Sequence, residues 1–583
     1  MIGLTYSEIL KNNYHLSKKI KKDKLQIKIL SNITVDFLKE ILEYNLRTGG
    51  VGEAIVSIGN FNNIVQESSK FGKNEIAIIF WDFFDLLDGV QFKIENLKDK
   101  EINSILNQIK KDIDIVINNL SDCKAVIFNK FTSCVFSRYN YSNKKIQNFV
   151  NELNNHLENK NNLNLKIIDL EKIILNIGIK KSIDFRFYYS SSSPYTIDFF
   201  KEYTDFVSPI IFSLRGKSKK AIILDCDNTI WSGIVAEDGP SGIDMSKNSK
   251  LGKIFYEIQN IIVNLSKSGV LIGLNSKNNL KDVEQVLNSH KDIVLKKQFI
   301  SIKKINWKTK VQNLIEISEE LNIGLDSLIF VDDSEFEINL VKKYLPEVKT
   351  VQVPKNLYEY PEKLNKEARS LYNFFNSLED KKRSTMYKQQ TLRNEYKKKY
   401  FNLEEYLSSL DLELKIGQNQ PKILNRLSQL SQKVNQFNLT TKRYTEKEIN
   451  SFIKKKDVYV FSISLTDKFG DYGITGLSIV YHNKKKSTAS IDTLLMSCRI
   501  IGRNVEHVFI DYLVKFLKNK NVKSIKSFYV KSEKNKIVEN LYTDFGFKLK
   551  KSIKKISDFE LLINKYKFKN IRYIKIKNEK NKS

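Results

Sequence analysis

Cysteine and proline are scarce in this chain, four of the first and seven of the second among 583 residues. Four cysteines without a spacing pattern (Cys123, Cys134, Cys226, Cys498) exclude a disulfide scaffold and read as reduced thiols, so a cytoplasmic location is expected. The shortage of proline excludes collagen-like and proline-rich chains. No apolar run approaches the roughly 18 residues of a membrane-spanning helix, and the opening MIGLTYSEILKNNYHLSKKIKKDK lacks the basic–apolar–small order of a signal peptide. No membrane partner is expected.

Arginine is scarce too, twelve against 85 lysines, although the net charge is +30. Lysine-rich sequence crowded with Ile and Asn suggests codon bias more than a nucleic-acid footprint. The clusters are short (Lys18–Lys22, Lys397–Lys399, Lys484–Lys486), and no RRM, zinc-finger or helix-turn-helix pattern accompanies them. No nucleic-acid partner is expected; solvated basic faces that attract small acidic partners are.

What is present is globular material, 41% apolar and 11% aromatic, enough for about three to five domains. Strand-then-helix alternation, the sign of α/β layers, recurs in three regions. The first runs to about Arg215, with strands predicted at Leu25–Leu30, Glu53–Ile58, Glu75–Phe80, Lys124–Phe128 and Leu165–Ile168. The second opens with Lys219–Leu224 and closes near Val353. Pro354 to about Lys399 reads as a charged helical connector. The third begins at Phe401, with strands at Val458–Leu465, Gly473–Tyr481 and Ala489–Leu495, a helix at Val505–Leu517 and a last strand at Ile571–Ile576.

In the middle region, an apolar strand runs straight into Asp225-Cys226-Asp227-Asn228-Thr229. On an extended strand Asp225 and Asp227 share a face and Cys226 points away. Beyond the carboxyl end of a strand, two carboxylates can hold Mg²⁺; one can serve as nucleophile through an aspartyl-phosphate while the other moves protons. A strand-end turn is the plain alternative, since Asp, Asn and Thr suit turns. A second strand, Gly269–Leu274, ends in Asn275-Ser276-Lys277, where a Ser and the following N–H groups can bind phosphoryl oxygens. Lys310 then precedes a helix as a fixed cation, and a third strand, Ser327–Val331, ends in Asp332-Asp333.

This order resembles the four motifs of the haloacid dehalogenase (HAD) phosphotransferase superfamily. More closely, LDCDNTIWSGIVAEDG, NSKNN, INWKTK and FVDDSEFE resemble the FkbH-like proteins, as do ILSNITVDFLKEILEY, LSQLSQKVNQFNLTTKRYT and LMSCRIIGRNVE outside the HAD region. The resemblance implies an α/β multidomain chain: an SGNH-hydrolase-like α/β domain (1–216), a HAD domain with a Rossmann-like parallel sheet (217–354), a connector (355–399) and a GNAT-like α+β domain (400–583). It implies Asp225 as nucleophile and Mg²⁺ ligand, Asp227 as general acid/base with its carbonyl on the metal, and Ser276 and Lys310 as phosphoryl-binding groups. Asp332 and Asp333 would complete the metal site, Asp333 as direct ligand and Asp332 as partner of Lys310. Thr229, Asn275 and Lys277 are further substrate-binding positions. The implied activity takes 1,3-bisphosphoglycerate, removes its phosphate and loads the glyceryl group onto the phosphopantetheine thiol of an acyl carrier protein.

The sequence departs from that pattern where Asn275 stands in place of a usual Cys, so an amide replaces a thiol that could relay the acyl group. Two rivals follow: a HAD phosphatase acting on a phosphorylated sugar or acid in surface-polysaccharide or secondary-metabolite synthesis, and a carrier-binding scaffold without turnover. In the third region Arg499, Gly502, Arg503 and Asn504 resemble an acetyltransferase pyrophosphate loop, with Asn504 in the place of its last Gly, and are expected to take the carrier's arm. In the first region Ser31 stands at a strand end but Asp184 has no His three residues on, so Ser31 is expected to serve a turn and the domain to be non-catalytic.

Overall fold

The computed structural model describes residues 3–19, 24–72, 75–86, 89–134, 136, 144–160, 162, 164–372, 389, 393, 396–397, 399–532 and 534–578. The chain divides into two compact units, Met1–Lys217 and Ser218–Ser583.

In the first unit, β1 (Leu25–Ser31), β2 (Ala54–Ile58), β3 (Ile76–Phe80), β4 (Ala125–Asn129) and β5 (Leu165–Ile168) form a parallel sheet in the order β2-β1-β3-β4-β5. The uninterrupted apolar runs IAIIF and AVIFN become β3 and β4, buried at every position, as strands covered on both faces must be. Ser31 Oγ accepts the Ile33 N–H at 3.1 Å, a turn role. His156 is held by Asp114 at 2.8 Å and Asp184 by Arg186 at 2.6 Å.

The second unit holds two sheets. β6 (Ala221–Leu224), β7 (Leu271–Ser276), β8 (Ile302–Ile305), β9 (Leu328–Asp332) and β10 (Lys349–Gln352) are parallel, in the order β10-β9-β6-β7-β8. Along β6, Ile222 and Leu224 enter one core with Phe255, Ile258 and Val283; Ala221 and Ile223 enter the other with Leu314, Ile317 and Ile338. The chain winds outward from β6 to β8, then returns to β9 on β6's other side. The winding reverses between β6 and β9, which opens a crevice at their carboxyl ends.

The expected connector needs correction over its first part. The helix Tyr360–Ala368 buries Tyr360, Leu364 and Ala368 in the core of this parallel sheet. Of the rest of 355–399, residues 373–388, 390–392, 394–395 and 398 lie outside the described residues.

The other sheet comprises β11 (Leu412–Gln418), β12 (Val458–Asp467), β13 (Gly470–Asn483), β14 (Thr488–Met496), β15 (Ser524–Val530), β16 (Lys548–Ile553), β17 (Ile556–Leu562) and β18 (Ile574–Asn578). Its order is β16-β17-β15-β14-β13-β12-β11-β18, mixed in direction. β14 and β15 pair in parallel only over Thr488–Ile491 and Ser524–Ser527. Past that point Phe437–Leu439 lies between them: Met496 N donates to the Phe437 carbonyl (3.0 Å), Leu439 N to that of Leu494 (3.2 Å) and Val530 N to that of Leu439 (2.7 Å). The fold class is therefore α/β multidomain, with two parallel sheets and one mixed sheet among the described residues.

Candidate active site

The apolar runs of β6 and β9 both stop at aspartates, so acidic side chains gather at the crevice. The Asp225 N–H donates to the Val331 carbonyl at 3.0 Å and ties the two strand ends together. Lys310, first residue of the helix Lys310–Glu320, brings its ammonium between them: Nζ lies 2.6 Å from Asp332 Oδ2 and 3.1 Å from Asp225 Oδ2. All three residues are buried. Burial pulls the lysine's pKa down, but the Asp225 and Asp332 charges outweigh it and hold the ammonium above its ordinary range. Asp332 Oδ1 accepts the Ser334 N–H at 2.9 Å. Even so, burial and the Asp225 charge push the Asp332 carboxyl up to about 7.

Asp225 Oδ1 is buried without a hydrogen-bond partner among the described residues. Asp333 is the least buried of the three aspartates, and burial followed by the Asp225 charge raises its pKa. Ligand atoms of Asp225, Asp332 and Asp333 lie within 4.8 Å of one another. Hard oxygen donors so spaced, one with an unpartnered oxygen, fit Mg²⁺.

The Asp227 carboxylate is outside that trio. Its Oδ1 accepts from Trp231 Nε1 (2.9 Å) and Val235 N (3.1 Å), and its Oδ2 from Asn278 Nδ2 (2.8 Å). Burial nonetheless raises its pKa against these donors. Thr229 is buried, its hydroxyl unpartnered among the described residues and its carbonyl accepting from Tyr360 Oη at 3.2 Å. Ser276 ends β7 and is buried. Lys277 turns to Glu337, at 2.6 Å. Cys226 is fully buried, and burial with the Asp225 charge drives its thiol well above the ordinary range, so it offers no thiolate.

Asn275 is corrected from a substrate contact to an internal strut. It is fully buried; Nδ2 donates to the Lys310 carbonyl at 3.0 Å and Oδ1 accepts from Asn313 Nδ2 at 3.0 Å.

The Arg499–Asn504 loop stands apart from the acidic centre. Gly502 (φ +78°) and Asn504 (φ +60°) take left-handed backbone just before the helix Val505–Lys518, and Asn504 Nδ2 donates to Tyr573 Oη at 2.6 Å. Arg499, Gly502 and Arg503 line a cavity of about 340 Å³ with Cys498 and Tyr472. Glu319–Asn322, at the far end of the helix that begins with Lys310, line it as well. At 1.5 Å per residue that is about 15 Å from Lys310. Cys498 Sγ there donates to the Asn322 carbonyl at 3.1 Å, and Asn322 Nδ2 to the Cys498 carbonyl at 2.7 Å.

Sequence reading does not single out Trp231, Asn278, Asn313 or Tyr360. One signal was available for Asn313. It shares the buried face of its helix with Lys310, Leu314 and Ile317, and a polar residue on an apolar stripe calls for a partner.

No protein-family model matches the chain, and no curated protein matches it either. Among solved structures it is similar to the N-terminal part of the protein BF1531 from Bacteroides fragilis, which contains a phosphatase domain and is complexed with Mg. The identity is 23%, the TM-score 0.55, and the match covers 62% of this chain and 97% of that one. It is also similar to the ribosomal-protein-S18-alanine N-acetyltransferase from Escherichia coli (13% identity, TM-score 0.21, 26% of this chain and 94% of that one). A third is the spermidine/spermine N-acetyltransferase SpeG from Vibrio cholerae, in mutant forms (16% identity, TM-score 0.22, 26% of this chain and 95% of that one). The first likeness bears on fold; the two partial ones decide nothing.

Proposed function

We propose that the chain is a cytoplasmic, Mg²⁺-dependent phosphotransferase of the HAD type. It removes phosphate from a three-carbon acyl phosphate such as 1,3-bisphosphoglycerate and passes the glyceryl group to the thiol of an acyl carrier protein. One observation carries the phosphotransfer part: a lysine ammonium buried between Asp225 and Asp332 at the winding reversal of a parallel sheet, with Asp225 Oδ1 left unpartnered.

Asp225 and Asp333 would hold Mg²⁺, Asp332 being engaged by Lys310 and the Ser334 N–H. When bound, Mg²⁺ supplies charge neutralisation to phosphoryl oxygens. Asp225 Oδ1 is the nucleophile toward the phosphoryl group on C3, forming the bond to phosphorus as the bond to the C3 oxygen breaks and leaving the acyl phosphate at C1 intact. Lys310 and Ser276 hold the phosphoryl oxygens. Asp227, braced by Trp231, Val235 and Asn278, handles the proton of the departing group and then of the attacking water. Positioning and neutral charge balance are most of what a loose phosphoryl-transfer transition state requires.

A second reading, simple hydrolysis of a phosphorylated acid or sugar, is favoured by Asn275. Hydrolysis through Asp225 breaks the P–O bond. Thioester formation requires a thiolate to attack the acyl carbon and break the C–O bond instead. The amide of Asn275 provides no thiolate, and Cys226 is held protonated. On the loading reading the carrier's own thiolate attacks the acyl carbon and expels the phosphate at C1, its arm held at the Arg499–Asn504 loop. The test is to incubate the protein with MgCl₂, 1,3-bisphosphoglycerate and a holo acyl carrier protein, then weigh the carrier intact. A glyceryl adduct removed by hydroxylamine supports loading; phosphate release with an unmodified carrier supports hydrolysis. No phosphate release, with or without carrier, refutes both.

A further inference from the structure

We propose that Asn275, Asn313 and Asn306 form a positioning network that fixes Lys310 in the phosphotransfer site; the inference rests on the role given to Lys310 above. Lys310 sits at the first position of its helix, where end turns fray and four side-chain torsions separate backbone from ammonium. Thr309 caps that turn, its Oγ1 accepting the Gln312 N–H at 3.2 Å. The asparagines hold the same turn from the sheet side.

Asn275 Nδ2 donates to the Lys310 carbonyl at 3.0 Å. Asn313 Nδ2 donates both to Asn275 Oδ1 (3.0 Å) and to Asn306 Oδ1 (3.1 Å), and Asn306 Nδ2 donates back to Asn313 Oδ1 (3.2 Å). The Asn306 main chain is itself pinned, its N–H donating to the Ser276 carbonyl at 3.1 Å. Three side-chain amides thus tie the ends of β7 and β8 to the first helical turn. Asn275 and Asn313 are wholly buried. A satisfied polar network in a low-dielectric interior holds one geometry, and here that geometry sets where the ammonium lies relative to Asp225 and Asp332. It also gives position 275 a use that a thiol could not copy. One amide is both donor to Lys310 and acceptor from Asn313.

A positioning role predicts that the network acts through Lys310 and not merely on folding. The test is a double-mutant cycle on the full chain with Asn275→Leu and Lys310→Met, reading Mg²⁺-dependent hydrolysis of acetyl phosphate and the urea midpoint. Asn275→Leu is expected to lower kcat/KM by about 10–100-fold in the parent, as ångström-scale misplacement does. In the Lys310→Met background it should lower it less than about twofold. An equal fold-loss in both backgrounds, or no loss in the parent, overturns the proposal. If Asn275→Leu does not fold, Asn306→Ala, half-buried at the outer end of the network, goes through the same cycle. If the parent hydrolyses neither acetyl phosphate nor 1,3-bisphosphoglycerate, the phosphotransfer reading itself has failed. The network is then judged by unfolding alone: midpoint losses that fall short of additive support it, and additive losses overturn it.

Discussion

Replacing Lys310 with Met removes one charge and almost no volume, and its effect can be worked from two distances. The ammonium stands 2.6 Å from Asp332 and 3.1 Å from Asp225. At an effective dielectric near 20, each contact contributes about 5–6 kcal/mol of gross attraction. Desolvation of three buried charges offsets most of that, so the net loss on deleting one partner should be about 3–5 kcal/mol. The two carboxylates then face each other with nothing between them. The Asp332 carboxyl, already pushed up to about 7, binds a proton more readily still. The sign follows: a raised folded pKa gives stability that is present at low pH and is lost as pH rises through it. The variant should therefore be most destabilised at pH 8 and partly recover by pH 6, and Mg²⁺ should raise its urea midpoint more than the parent's. Hydrolysis should fall roughly 10²–10³-fold, the scale for losing a positioned cation. Urea unfolding at both pH values, with and without MgCl₂, checks this. A loss below about 1 kcal/mol that is the same at pH 6 and pH 8 would refute the electrostatic account.

Asp225→Asn removes the proposed nucleophile and one charge of the proposed metal site together, so phosphate release should vanish while the far-UV CD spectrum stays that of the parent; undiminished turnover would reject the assignment. EDTA should abolish activity of the parent, and added MgCl₂ should restore it. Trp231→Phe deletes one of the donors on Asp227, at 2.9 Å. It should slow hydrolysis about tenfold with little change in KM, measured on acetyl phosphate. In the first unit, Asp82 accepts from Phe84 N and Tyr195 Oη (2.8 and 2.7 Å), yet burial lifts its carboxyl from 3.8 to about 6. Its contribution is therefore fully present below pH 4 and is lost as pH rises through about 6, a fall of about 3 kcal/mol that Asp82→Asn should remove from the unfolding profile.

The strands that position the site were legible because strands buried on both faces are uninterrupted apolar runs. Ile76–Phe80, Ala221–Leu224 and Leu328–Asp332 read that way. The outer strands were not. IKKI of β8 and KTVQ of β10 are half-buried sheet edges, and their lysines mask the alternation. The acidic residues and Lys310 were legible for a related reason, each standing where an apolar strand stops or a helix starts. The grip on Asp227 by Asn278 and that on Lys310 by Asn275 span 51 and 35 residues, and no local pattern announces such pairs. The separation of the Arg499–Asn504 loop from the acidic centre was equally hidden. It depends on which end of the Lys310 helix meets the C-terminal sheet.

The Phe437–Leu439 segment has a bearing on traffic through that sheet. Where β14 and β15 part, the main-chain groups of Leu494, Met496 and Val530 would otherwise form an open rail along which an extended, amide-bearing arm could dock. The chain has already docked there itself, with bonds of 3.2, 3.0 and 2.7 Å to those groups. An incoming arm would have to trade these bonds one for one and expel Phe437 and Leu439, both buried in the hydrophobic core, before gaining anything. The rail is a closed lane. Arg499 and Arg503 line the cavity beside Asn322, so the helix that begins at Lys310 ends at the C-terminal loop.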